Sequence, residues 1–163
     1  RGRMLLDLFK RVIRPRVPEA RFWAVCEEKV EGPGVEWFGR APLEQLAELY
    51  RQAWVFCLPS TYEGFGVPYI EAMASGTVVV ATRNVGAREV TGNGACGLVL
   101  PDGELADGVV RVLTDAALRE RYMVAGLERS RRFSWEQICQ QYEALYAGGP
   151  GRREAPDAAP SQS

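Results

Sequence analysis

Apolar residues follow two patterns that alternate along the chain. Some recur at the three- and four-residue spacing of a helix face, and others form short unbroken runs. Residues 3–14 place Leu5, Leu8, Phe9 and Val12 at helical spacing, and Pro15 and Pro18 are expected to end that helix. Residues 21–26 read as a strand, 31–34 as a turn, and 35–39 alternates before stopping at Gly39. Residues 42–53 open on Pro42 and carry Leu43, Leu46, Leu49 and Tyr50 on one helical stripe. The run 54–58 is apolar throughout, which predicts a strand covered on both faces. A glycine-rich loop at 60–66 leads to a helix near 67–75, and 78–82 is the next apolar run. A short helix near 86–91, a strand at 97–100 and helices at 104–113, 115–131 and 134–146 complete the series. Ser134, with Glu136 and Gln137 just inside, reads as the cap of the last helix.

Unbroken apolar strands separated by helices predict an α/β fold, a Rossmann-like doubly wound parallel sheet with helices on both faces. The series opens on a helix where such folds open on a strand, so a first strand is expected to be missing from this chain. Residues 1–147 are expected to form one domain. Residues 148–163 are rich in Gly, Pro, Ala and Ser and read as a disordered tail.

Composition narrows the chemistry. Of 163 residues none is histidine, so a Ser-His-Asp triad and His-ligated zinc are excluded for this chain alone. Twenty Lys and Arg against 21 Asp and Glu argue against a strongly basic nucleic-acid domain. Cys26, Cys57, Cys96 and Cys139 form no Cys-x-x-Cys pair, and Cys26 and Cys57 read as buried free thiols of a reducing compartment. Six basic residues stand against two acidic ones in the first 20 positions. That run is either a solvated helix face or part of an anion site.

The most informative stretch is Ser60 to Gly76, where a strand end feeds a helix N-terminus. Ligands of open α/β sheets bind outside the carboxyl ends of the strands. Gly64 and Gly66 permit unusual φ and close backbone approach, and Pro68 presets the first helical turn. The free N–H groups and positive end of that helix suit a phosphate. Glu63 and Glu71 flank the turn, and each carboxylate can accept hydrogen bonds from hydroxyls. A nucleoside diphosphate sugar has the matching layout of ribose, diphosphate and hexose. Alternatively, Glu71 only complements the helix dipole.

The segment EGFGVPYIEAMASG resembles the donor-binding signature of the retaining glycosyltransferases of family 4, which have the GT-B fold. VEWFGRAP, LAELYRQAWVFCLPSTYEGFG, SGTVVVATRNVGAREV and GLVLPDG resemble the flanking pieces in order, so the likeness spans about residues 1–146. It implies the C-terminal, donor-binding half of a GT-B enzyme. Glu71 is then expected on the ribose hydroxyls and Glu63 at the reacting centre as the catalytic residue. Backbone N–H groups of Phe65, Gly66 and Val67, with Gly64, would hold the sugar and distal phosphate, and Gly39-Arg40 would lie near the base. Arg1 or Arg3 falls near the family's basic diphosphate position. Val78 departs from the family's usual Pro and reads as a packing change.

The resemblance further implies a hexosyltransferase that needs no metal or other cofactor, with the nucleotide sugar as donor substrate. The acceptor, a glycan, lipid or small molecule, would be held by an N-terminal domain outside this chain. No nucleic-acid partner is expected. The expected location is cytoplasmic, with peripheral contact at the inner membrane surface as an open option. Two other readings stay open: a GT-B nucleotide-sugar epimerase, and a truncated nucleotide-binding or interaction module without catalysis.

Overall fold

The computed structural model describes residues 1–148. The chain divides into two units, Arg1–Arg131 and the segment from Arg132 onward. The tail expected at 148–163 lies outside the described residues, apart from Gly148.

The first unit opens with helix α1 (Gly2–Leu8), which continues through a π turn (Phe9–Ile13) into α2 (Arg14–Arg16). Pro15 and Pro18 are expected to end this helix after residue 14, and it ends between them, at Arg16. Pro15 has no N–H to give to a helical ladder. The π turn hands the Arg14 N–H to the Phe9 carbonyl five residues back, and this local widening accommodates the proline.

Strands β1 (Phe22–Ala24) and β2 (Val35–Trp37) pair in parallel, with Phe22 opposite Val35 and Ala24 opposite Trp37. Helix α3 (Leu43–Gln52) leads to β3 (Val55–Leu58), α4 (Val67–Ala74), β4 (Val78–Thr82), α5 (Val85–Thr91) and β5 (Leu98–Leu100). Helices α6 (Leu105–Thr114) and α7 (Ala116–Ser130) close the unit. Strands β3, β4 and β5 form a second parallel sheet in that order.

The strands are thus parallel, as expected, but they lie in two sheets of two and three strands. A doubly wound sheet of order 3-2-1-4-5-6 has the same flanks, 3-2 and 4-5-6, on either side of its first strand. The strand between those flanks has no counterpart among the described residues.

Every residue of β4 is buried, because it is the central strand and carries helices on both faces. Val78 and Val80 join a core with Leu5, Phe9 and Ile13 from the first helix and Leu105, Val109 and Val112 from α6. Val79 and Ala81 alternate to the opposite face, where α4, α5 and α7 pack. Val78 stands in the β4 core with almost no exposure, in keeping with its reading as a packing residue. Strand β3 departs from the expectation of two covered faces. It is an edge of its sheet, its residues are only half-buried, and the preceding Trp54 is exposed with Arg119 stacked over its ring.

The second unit contains α8 (Trp135–Tyr146), capped by Ser134, whose hydroxyl accepts from Gln137 N at 3.3 Å. No described helix is long and apolar enough to cross a membrane.

Cys26 is exposed, contrary to the expectation of burial, because β1 ends at Ala24 and leaves it in the following loop. Cys57 is partly exposed as a residue, but it packs against the main core, and burial pushes its thiol up from 9.0 to about 12. Below pH 9 the thiol is protonated in both the folded and unfolded chain. Above it the unfolded chain ionises first, so this contribution to stability is lost between about pH 9 and 12. Urea unfolding at stepped alkaline pH should show this decline, and Cys57→Val should make it shallower. An unchanged slope would assign the loss to other groups.

Candidate functional site

The candidate site lies where β3 and β4 end. Ser60 follows β3, and its carbonyl accepts from two side chains at and just beyond the end of β4: Thr82 Oγ1 at 2.6 Å and Asn84 Nδ2 at 3.1 Å. Asn84 also donates to Thr82 O at 3.1 Å and to the buried Tyr69 hydroxyl at 3.2 Å. Its Oδ1 accepts from Ala87 N at 2.7 Å and so caps α5. One amide therefore ties the start of the 60–66 loop, α4 and the α5 terminus together. Burial pushes the Tyr69 hydroxyl above its ordinary pKa, although the Asn84 hydrogen bond pulls it down.

Two glycines shape the loop. Gly66 sits at φ +92°, a left-handed conformation that favours glycine, and a Cβ there would strike the Tyr69 ring. Gly86 receives the loop from the other side: its N–H donates to Glu63 O at 3.2 Å. A Cβ on Gly86 would stand 2.8 Å from Phe65 O and 2.9 Å from Glu63 O, and no shift of a flexible side chain relieves a backbone contact. Gly64, expected to share the role of Gly66, has no positive φ and open space around its Cα. Any residue could adopt that backbone, so the demand for glycine falls on Gly66 and Gly86.

Helix α4 begins at Val67 with no side-chain cap. Pro68 brings no N–H, and Tyr69 N bonds to Gly66 O at 3.0 Å. The N–H groups of Gly66 and Val67 lie at this uncapped, positive end. Glu63 is half-buried in the loop, and Phe65 and Val67 are exposed. Glu71 lies half-buried one turn into α4, where its Oε2 faces the Tyr50 hydroxyl at 3.5 Å. Burial, together with the Glu71 carboxylate, pushes Tyr50 from 10.0 up to about 12.

One strand–loop–helix unit therefore carries Glu63, Gly64, Phe65, Gly66, Val67 and Glu71. The remaining sequence candidates sit on other elements. Gly39 and Arg40 follow β2; Gly39 has φ +65°, and Arg40 forms an ion pair with Glu27. Arg1 pairs with Asp102, just beyond β5, and Arg3 pairs with Glu28, beyond β1. Those pairs hold the α1 terminus beside the carboxyl ends of the strands, but with both arginines facing carboxylates. The residue pattern placed Tyr50 on a helical stripe and Gly86 at the start of a short helix, and it left Asn84 and Gly86 open between the cleft and a surface loop. The Asn84 cap was legible as Asn before a helix, whereas the contacts of Tyr50 and Gly86 join residues far apart in sequence.

These features define a doubly wound α/β domain whose candidate site is a loop and helix terminus at the strand ends. The description "Glycosyl transferases group 1" matches residues 23–129, and the chain belongs to that family. The phosphatidyl-myo-inositol mannosyltransferase of Mycobacterium tuberculosis (strain ATCC 25618 / H37Rv) is 39% identical over 160 residues, covering 88% of this chain and 42% of that protein. The sucrose-phosphate synthase structure from Thermosynechococcus elongatus is 36% identical with a TM-score of 0.63, covering 72% of this chain and 32% of that one. Anabaena HepE, solved in complex with UDP and glucose, is 25% identical with a TM-score of 0.62, covering 70% of this chain and 32% of that one. The chain spans less than half the length of the curated relatives it matches. The fold is the Rossmann-like half seen in GT-B glycosyltransferases.

Gly86→Ala should displace the Glu63–Phe65 segment, because the added methyl meets two carbonyl oxygens. A loss of about 1–3 kcal/mol in denaturant unfolding is expected, as for overpacking of a tight contact. Gly64→Ala, in open space, should stay within about 0.5 kcal/mol.

Proposed function

We propose that residues 1–147 are the donor-binding part of a glycosyltransferase that moves a sugar from a nucleoside diphosphate sugar to an acceptor hydroxyl. The observation that carries this reading is the uncapped α4 terminus between Glu63 and Glu71, set at the strand ends within the matched family segment. The UDP and glucose bound by the Anabaena relative support it.

In this reading the diphosphate lies against the N–H groups of Gly66 and Val67, where the helix end favours negative charge. Glu71 accepts from the ribose hydroxyls. Glu63 contacts the transferred sugar, with the backbone of Gly64 and Phe65 beside it. Gly39 and Arg40 border the base. Arg1 and Arg3 exchange their partners Asp102 and Glu28 for the diphosphate, because exposed ion pairs contribute little and are readily replaced.

As the acceptor hydroxyl attacks the anomeric carbon, the bond to the diphosphate breaks, charge builds on the leaving oxygen and the hydroxyl proton passes to the departing diphosphate. The helix terminus and the arginines stabilise that charge through preorganised dipoles and cations. No metal or other cofactor is invoked. Retention of configuration and an acceptor held by a second domain belong to the same proposal. So do a cytoplasmic setting and peripheral contact with the membrane surface.

Thermal unfolding of the chain with and without UDP and GDP tests donor binding, since a ligand of the folded state raises the midpoint. Glu71→Ala should weaken nucleotide binding about tenfold or more by calorimetry, the loss expected of hydrogen bonds to a charged acceptor. Unchanged affinity would overturn the ribose assignment. In the protein that carries its acceptor domain, Glu63→Ala should lower turnover by about 10²-fold or more with nucleotide affinity kept. A variant with undiminished turnover would remove Glu63 from the reacting centre.

A further inference from the structure

Tyr50 is buried at the end of α3, and three contacts fix it. Its carbonyl accepts from the Thr77 hydroxyl, which also donates to Ala53 O at 3.1 Å and so pins the α3 terminus to the start of β4. Its ring meets Phe56 edge-on, with centroids 5.4 Å apart and planes at 76°. Phe56 in turn meets Tyr69 at 6.2 Å and 63°, and Tyr69 holds the Asn84 amide. This aromatic file runs from Glu71 to the clamp on the 60–66 loop. The Tyr50 hydroxyl emerges from it toward Glu71 Oε2 at 3.5 Å.

A phenylalanine would fill the same space against Phe56. The hydroxyl adds a polar group in a buried place, which costs free energy unless it is used. Among the described residues it reaches the Glu71 carboxylate, which can only accept. Tyrosine keeps its proton at neutral pH, so the hydroxyl donates to Glu71 and holds one oxygen, leaving Oε1 for a ligand. The separation is long for an O–H···O bond, as is common in unliganded sites whose hydrogen bonds tighten on binding.

We propose that Tyr50 is a positioning residue: its hydroxyl, carried on the Phe56–Tyr69 aromatic file, orients the Glu71 carboxylate for the vicinal hydroxyls of a ribose. The proposal rests on the assignment of Glu71 to the ribose. It makes selectivity for ribonucleotides over deoxyribonucleotides depend on a residue that does not touch the ligand.

The test is calorimetry on the whole chain with UDP, GDP and ADP and their 2′-deoxy counterparts. The readout is the ratio of deoxy to ribo dissociation constants for the base that binds. Tyr50→Phe should lower that ratio about threefold to tenfold by weakening ribonucleotide binding more than binding of the 2′-deoxy counterpart, which keeps only the 3′ hydroxyl; the range is that expected for one hydrogen bond. A purely structural role would weaken both sugars equally or neither, and either result overturns the proposal. Glu71→Gln separates the two claims. If it collapses the ratio while Tyr50→Phe keeps it, Tyr50 loses its role and Glu71 retains the ribose. If Glu71→Gln keeps the ratio, or none of the three nucleotides binds, the ribose assignment falls and the proposal with it.

Discussion

The structure depends on burying β4 on both faces. A central strand with no exposed residue must place every backbone donor and acceptor in a ladder, since an unpaired buried peptide group is costly. Parallel pairing with β3 and β5 meets that demand, with Val55 opposite Val78 and Thr82 opposite Leu100. Parallel strands put their carboxyl ends at one edge of the sheet. Ser60, Thr82 and Asn84 meet there for that reason, and their hydrogen bonds convert the end of a ladder into the anchor of a loop.

That anchor explains how an open loop can hold a defined shape. The 60–66 segment is fixed at its start by the Ser60 carbonyl and in its middle by Gly86 N against Glu63 O. At its end it is fixed by the left-handed Gly66. Between these points Phe65 and Glu63 remain accessible or half-buried, and the α4 terminus stays uncapped. Electrostatically the site is mixed, a positive helix end between two carboxylates, while Arg1 and Arg3 on another element are paired with Asp102 and Glu28.

Much of this architecture was legible in the residue pattern. The apolar run 78–82 became β4 with the same bounds, and the helices near 42–53, 67–75 and 134–146 differ from the observed ones only at their ends. The Glu-Gly-Phe-Gly turn and both glutamates stood out because strand, glycine and helix signals are local. The signals failed where neighbours decide the outcome. The first helix passes Pro15 before ending at Arg16, because a π turn precedes the proline. The run 54–58 was expected to be covered on both faces, whereas β3 is half-buried and is the edge of its sheet among the described residues. Gly64 looked equivalent to Gly66, yet only Gly66 carries the left-handed backbone.

The sequence by itself determined the parallel α/β class, the element order and the loop that carries the candidate chemistry. These follow from periodicity and from residue types with strong local preferences. Only the tertiary structure decided the partners. It set Arg1 and Arg3 against Asp102 and Glu28, pressed Gly86 onto the Glu63–Phe65 backbone and brought Tyr50 to Glu71. Each of these contacts joins residues on different elements. No local propensity encodes such a contact, because its geometry exists only after the helices have packed on the sheet.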